Sequence, residues 1–93
     1  VNSISLTRRL KVVNRLGLHA RAATRLAQVA NSFDAEIEVS HGDQQASANS
    51  VLALLMLQTC QGEEVEVHCS GEQAEQAMDA ITTLFSSRFD EED

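Results

Sequence analysis

The residues whose types and spacing can do chemistry lie in one segment, Gly17-Leu18-His19-Ala20-Arg21-Ala22-Ala23-Thr24-Arg25. It runs from a loop into a helix, with His19 at or next to the N-cap. Histidine is not a preferred N-cap. Arg21 and Arg25 fall in the first turns, where the helix dipole favours acids and disfavours cations. Both choices cost local stability, and rule-breaking gathered in one place marks functional sites. An anion resolves the conflict. A helix start offers backbone N–H groups aimed outward, here those of Ala20 and Arg21 with Gly17 in the turn before them. Arg21 adds a forked donor suited to phosphate oxygens. His19 adds a nucleophilic imidazole. The chemistry is phosphoryl transfer to a ring nitrogen, with the N–H groups and Arg21 holding the phosphate. The blander reading is a surface histidine beside a solvated basic face. Gly17, the two arginines and the absence of any acid before Asp34 weigh against it.

The elements that must position these residues follow from hydropathy period. Ile4, Leu6, Leu10 and Val12 alternate with polar residues as a half-buried strand, broken only by Arg8. Asn14 to Gly17 form a loop. From Ala22 the apolar spacing through Ala23, Leu26, Ala27, Val29, Ala30 and Phe33 is helical. Phe33, Ala35, Ile37 and Val39 alternate as a second strand. His41-Gly42-Asp43 is a turn, and Gln45 to Ala48 a short third strand completing a hairpin. Asn49 or Ser50 caps a helix over Val51 to Leu57, which Gln61-Gly62 ends. Val65, Val67 and Cys69 mark a fourth strand. Ser70-Gly71-Glu72-Gln73 reads as a capping box. The last helix buries Ala74, Ala77, Met78, Ile81, Leu84 and Phe85. Residues 90–93 read as a frayed, solvated acidic tail. The order β-α-β-β-α-β-α, with one polar face per strand, predicts a single α+β domain over residues 1–93. In it a four-stranded antiparallel sheet carries three helices on one face.

Composition excludes several classes. The 93 residues, 43% hydrophobic and 23% charged, suit one globular domain. A net charge of -7 and three aromatic residues, all Phe, argue against nucleic acid as a partner. The first 25 residues nonetheless carry +6 and the rest -13, which places a local anion site on an acidic protein. The longest apolar run, Val51 to Leu57, is too short to span a membrane. No signal peptide opens the sequence as given, and Cys60 and Cys69 have no metal spacing, so a cytoplasmic protein with reduced thiols is expected. A monomer is the simplest expectation.

The other chemistry-bearing residues lead less far. A zinc site from His41, Cys60 and His68 has no standard spacing, so no metal is expected. His41 reads as a turn residue, with His68 pointing outward and Cys69 inward. No nucleophile elbow, Walker A or GxGxxG sequence occurs, so neither a hydrolase nor a nucleotide cofactor is expected. Val51 to Leu57 is apolar all round. Part faces the sheet, and an exposed part signals docking. Val51, Leu52 and Leu55, with Leu18 and Ala20 beside the histidine, are the docking candidates. A rival function is therefore a regulatory docking module, never phosphorylated, that uses helix 50–57.

Gly-Leu-His-Ala-Arg-Ala-Ala resembles the phosphohistidine motif of the HPr phosphocarriers of the bacterial phosphotransferase system, and the element order matches theirs over nearly the whole chain. Asn49 to Leu57 and the acidic end Phe89 to Asp93 are similar to the nitrogen-related branch of that family, NPr. The resemblance implies an open-faced β-sandwich whose His19 carries phosphate on Nδ1, with Arg21 as the phosphate contact. It implies an enzyme I-type donor and an EIIA-type acceptor that dock on the short helix beside the histidine. The protein is then a carrier with a phosphohistidine intermediate, needing no cofactor of its own. Ser50 matches the serine that a dedicated kinase phosphorylates in some members, against the simpler reading of a helix cap. Ala22 departs from the pattern, since most members have Pro there, and a less rigid helix start is expected.

Overall fold

The computed structural model describes residues 4–91, in the order β1 (Ile4–Lys11), α1 (Ala20–Ala30), β2 (Glu36–His41), β3 (Gln44–Ser47), α2 (Val51–Met56), β4 (Glu64–Gly71) and α3 (Ala74–Ser86). A short turn, Arg88–Asp90, follows α3. The strands form one antiparallel sheet in the order β1-β4-β2-β3. This is the α+β architecture expected from the alternation.

The register sorts side chains onto two faces. Leu10 pairs with Val65, Leu6 with Cys69, and Val39 with both Val67 and Ala46. These point into the core, where Leu26, Leu54, Met78 and Ile81 from the helices are fully buried. Each such side chain contributes roughly 1.5–3 kcal/mol of transfer free energy. The opposite face pairs Thr7 with His68, Arg9 with Glu66, and Glu38 with both His68 and Ser47, and is polar throughout. Arg8 sits on the core side of β1 yet stays partly exposed. Its guanidinium reaches α3, donating to Thr82 Oγ1 at 2.8 Å and meeting Asp79 at 4.0 Å.

Several boundaries differ from the periodicity reading. Helix α1 starts at Ala20 with His19 as its cap, as expected, and ends at Ala30, short of Phe33. Strand β2 starts at Glu36 rather than Phe33. The preceding Asp34 is tied to the start of α3 instead, accepting from Gln73 N–H at 3.0 Å and donating its own N–H to Gln73 Oε1 at 2.7 Å. That use of Gln73 undoes the expected capping box. Ser70 stays in β4, and α3 has no side-chain cap. Helix α2 ends at Met56, well before Gln61-Gly62, where Gln58 turns left-handed at φ 52°.

The largest correction concerns the acidic end. The frayed tail expected from Asp90 onward is instead a folded turn as far as Glu91, while Glu92 and Asp93 lie outside the described residues. Phe89 is 2% exposed and packs on Phe85 with ring centroids 4.8 Å apart. Asp90 pairs with Arg25 of α1. Arg88, Phe89 and Asp90 all have φ between 54° and 60°. Non-glycine residues in this left-handed region cost about 1–2 kcal/mol each, so the turn persists only through the contacts that hold it.

Candidate functional site

The loop between β1 and α1 is stitched to the segment that follows α2. Val12 N–H donates to Glu63 O at 2.8 Å, Gly62 N–H to Val12 O at 2.7 Å, and Leu18 N–H to Thr59 O at 3.1 Å. Asn14, fully buried, donates its Nδ2 to Gly17 O at 2.6 Å. Gly17 has φ 67°, and a Cβ there would lie 2.5 Å from Thr59 O. Only glycine fits both the turn and this close backbone approach. Its N–H is already given to Asn14 O at 3.2 Å. Gly17 therefore shapes the loop and is not a free phosphate donor, which corrects the expected phosphate-binding set.

The loop delivers His19 to the start of α1 with its side chain folded back onto the helix. His19 Nδ1 accepts the N–H of Arg21 at 3.2 Å, so the imidazole itself is the N-cap. A nitrogen that accepts an N–H carries no hydrogen of its own. In the neutral ring the hydrogen is therefore on Nε2, which lies 2.9 Å from Glu91 Oε2. The N–H groups of Ala20 and Ala22 have no acceptor among the described residues. Ala22 is fully buried, so the unpaired donor at the exposed helix start is the Ala20 N–H, beside an imidazole whose lone pair faces the helix.

Glu91 is a site residue that periodicity could not find. One oxygen accepts from Asn14 Nδ2 at 3.1 Å and from His19 Nε2; the other accepts Leu16 N–H at 3.2 Å. Its side chain is 11% exposed. Removal from water pushes its carboxyl up, but the hydrogen bonds from Asn14, Leu16 and His19, with the histidine charge, outweigh this and hold it below the ordinary carboxylate value. The one sequence signal was Phe89, an apolar residue inside an otherwise acidic end.

The two arginines of the motif divide their work. Arg25 holds Asp90 and so anchors the C-terminal turn. Arg21 is exposed, its guanidinium has no acidic partner among the described residues, and it lines a shallow depression with Leu16, His19 and Glu91. Of the expected docking residues, Leu52 is 71% exposed, Ala20 is exposed, and Val51 and Leu55 are half-buried. Leu18 is 4% exposed and belongs to the core, so it leaves that set. Leu16 and Met56, at 64% and 66% exposure, are exposed apolar residues the periodicity did not single out. Ser50 caps α2, its Oγ accepting Ala53 N–H at 3.2 Å.

The remaining histidines have structural partners. His41 ties the end of β2 to Leu57 O at 3.2 Å and to Glu63 at 3.4 Å. His68 stands on the open face between Ser5 and Thr7. Among the described residues no cluster of three potential metal ligands occurs. Burial pushes the Cys69 thiol up against the opposing pull of Arg8, which keeps it protonated.

The chain is similar to known proteins over most of its length. Residues 6–87 match the family model described as the PTS HPr component phosphorylation site. The phosphocarrier protein NPr of Shewanella violacea is 50% identical over 86 residues, 92% of this chain and 94% of that one. The NPr of Escherichia coli K12 is 43% identical over 84 residues, 89% and 93% of the two chains. The crystal structure of an HPr from Thermoanaerobacter tengcongensis superposes with a TM-score of 0.84 at 29% identity, covering 99% of both chains.

Proposed function

The chain belongs to the HPr family of phosphotransferase-system phosphocarriers, and from that premise we propose that His19 accepts a phosphoryl group on Nδ1 from an enzyme I-type protein and passes it to an EIIA-type protein. The similarity to NPr proteins supports a regulatory, nitrogen-type system. The observation that carries the site assignment is the hydrogen bond from Arg21 N–H to His19 Nδ1. It marks Nδ1 as the nitrogen without a hydrogen, whose one lone pair has to leave the Arg21 N–H to attack.

The transfer follows from that placement. The Nδ1 lone pair attacks the donor's phosphorus in line as the donor's own bond to phosphorus breaks. Once bonded, the phosphoryl oxygens lie between Nδ1 and the helix start. They take over the Arg21 N–H and gain that of Ala20 and the Arg21 guanidinium. Only the Arg21 N–H has to change partner, from Nδ1 to a phosphoryl oxygen. Leu16, in the same depression as His19, and the exposed Leu52 and Met56 of α2, which packs on α1, offer apolar side chains on which both partners can seat, with Val51 and Leu55 half-buried beside them. Phosphorylation of Ser50 would set a dianion in that surface and oppose docking, a regulatory use of the same helix cap.

Intact mass after incubation with the cognate enzyme I-type protein and phosphoenolpyruvate tests the reading. Wild type gains one acid-labile, alkali-stable phosphoryl group and His19→Ala gains none. Arg21→Ala slows acceptance by about ten- to hundredfold, the range for removing one donor from a charge-stabilising site. An unphosphorylated wild type would leave the docking-module reading, in which His19→Ala binds partners as well as wild type does.

A further inference from the structure

We propose that Glu91 is a positioning residue for the phosphoryl acceptor: it fixes His19 with its hydrogen on Nε2, directs the incoming phosphoryl group to Nδ1, and faces the positive charge that the ring acquires during transfer. The inference rests on the phosphocarrier reading above and adds to it a residue 72 positions from the histidine.

Three donors converge on one carboxylate. Asn14 Nδ2, Leu16 N–H and His19 Nε2 all point at Glu91. A group receiving three donors and offering none suits a carboxylate, which accepts only. Asn14 cannot turn away, because it is fully buried and its Nδ2 also holds Gly17 O. The carboxylate is thus fixed by the loop that carries the histidine. The protein also bears the left-handed turn at Arg88, Phe89 and Asp90 to bring it there. The turn is held by Phe89 against Phe85 and by Asp90 on Arg25. A solvated tail needs none of this.

The chemistry follows from which nitrogen is covered. Glu91 blocks Nε2 on the side opposite the helix start, so an attacking phosphorus meets only Nδ1. As the Nδ1–P bond forms, the donor's N–P bond breaks and its electron pair returns to the donor nitrogen. The ring then carries phosphorus on Nδ1 and hydrogen on Nε2, with a full positive charge shared between the nitrogens. That charge faces Glu91 at 2.9 Å through the Nε2 hydrogen. In the reverse transfer the same carboxylate holds the hydrogen in place while Nδ1 gives up the phosphoryl group. Among the described residues, the charged groups that line the depression with the ring are Arg21, Glu91 on the Nε2 side, and Asp90, paired with Arg25. A charge-assisted hydrogen bond is about twice as strong as a neutral one, which sets the scale of the effect.

Phosphoramidate tests this without any partner protein, since it is a small N-phosphoryl donor that leaves as ammonia. The rate is read by intact mass and the nitrogen by long-range proton–nitrogen and phosphorus NMR. Wild type takes phosphate on Nδ1 alone. Glu91→Gln keeps an oxygen for the Nε2 hydrogen, so it keeps Nδ1 selectivity but reacts about tenfold more slowly. Glu91→Ala uncovers Nε2 and gives both isomers. Glu36→Gln, the same loss of charge on the open sheet face, reacts as wild type does. Thermal melting of each variant separates these effects from a loss of fold. Glu91 variants that match wild type in both rate and nitrogen would overturn the assignment and leave the phosphocarrier reading standing. A wild type phosphorylated by neither phosphoramidate nor the cognate protein donor would overturn both.

Discussion

Helices α1 and α2 both begin with a side chain that caps the helix by accepting a backbone N–H, and the two caps do opposite things. At α2, Ser50 Oγ takes the Ala53 N–H at 3.2 Å, as a preferred cap residue should. At α1, His19 Nδ1 takes the Arg21 N–H at the same 3.2 Å, with no acid in the first turn and an arginine in it. One start is optimised for the helix. The other departs from helix preference in the way the proposed phosphoryl site requires. Their covers differ as well. The His19 ring at the α1 start is backed on its far side by Glu91, while α2 shows Leu52 and Met56 to solvent. The two caps are equally long, so what separates them is the residue type and its surroundings, which fit the proposed reaction centre at α1 and the proposed docking helix at α2.

Exchanging the side chains breaks the comparison most sharply. His19→Ala should abolish phosphoryl acceptance outright while Ser50→Ala leaves it intact, both read by intact mass. The next effect falls on the loop that sets the α1 cap. Gly17→Ala places a Cβ 2.5 Å from Thr59 O at a positive φ. It should cost about 2 kcal/mol or more by denaturant unfolding, and should weaken the His19–Arg21 cap through displacement of Leu18. Ser50→Ala should lower stability by about 1 kcal/mol, the ordinary value of such a cap. Ser50→Asp should restore it, since Asp also caps well, yet slow transfer from the protein donor and leave transfer from phosphoramidate unchanged. The smallest effect is on pH. The Glu91 carboxyl is held below its ordinary value of about 4.3, so its contribution is complete above that value and is lost as pH falls through the lowered one. Hydrogen exchange of the Leu16 amide should accelerate in that acid window, after correction for the intrinsic rate, while Ala53, capped by an uncharged hydroxyl, should not respond.

The fold was legible because its elements obey a period. Strands with one wet face alternate, and α3 buries each of the six apolar residues that its spacing selects. His19 was legible for the opposite reason, as a local violation of capping and dipole preferences. What could not be read lies where neither period nor propensity operates. Leu18 sits in a loop, and its burial depends on Gly17 letting the backbone close against Thr59. Gln73 matches a capping box in sequence, but its side chain is drawn to Asp34, a contact set by tertiary packing. The acidic end has the composition of a solvated tail. Its placement depends on three successive left-handed residues, none of them glycine, which local preference disfavours. Half of the candidate site was thus visible as a motif, and the other half arrives by a route that only the assembled core enforces.

The register of the sheet has a consequence in time. Strand β1 pairs with β4, Ile4 against Gly71 and Lys11 against Glu64, so the first strand made waits for one of the last. The hairpin of β2 and β3 closes over a few residues and can form early; the β1–β4 ladder closes a loop of more than half the chain and pays its entropy late. The ring of His19 waits longer still, for a carboxylate 72 positions downstream. During synthesis the nucleophile therefore emerges early and stays without its full setting until residue 91 has left the ribosome. On the proposed reading, phosphoryl acceptance at full rate is in this sense a mark of maturity, acquired only by a chain whose folding has run its course.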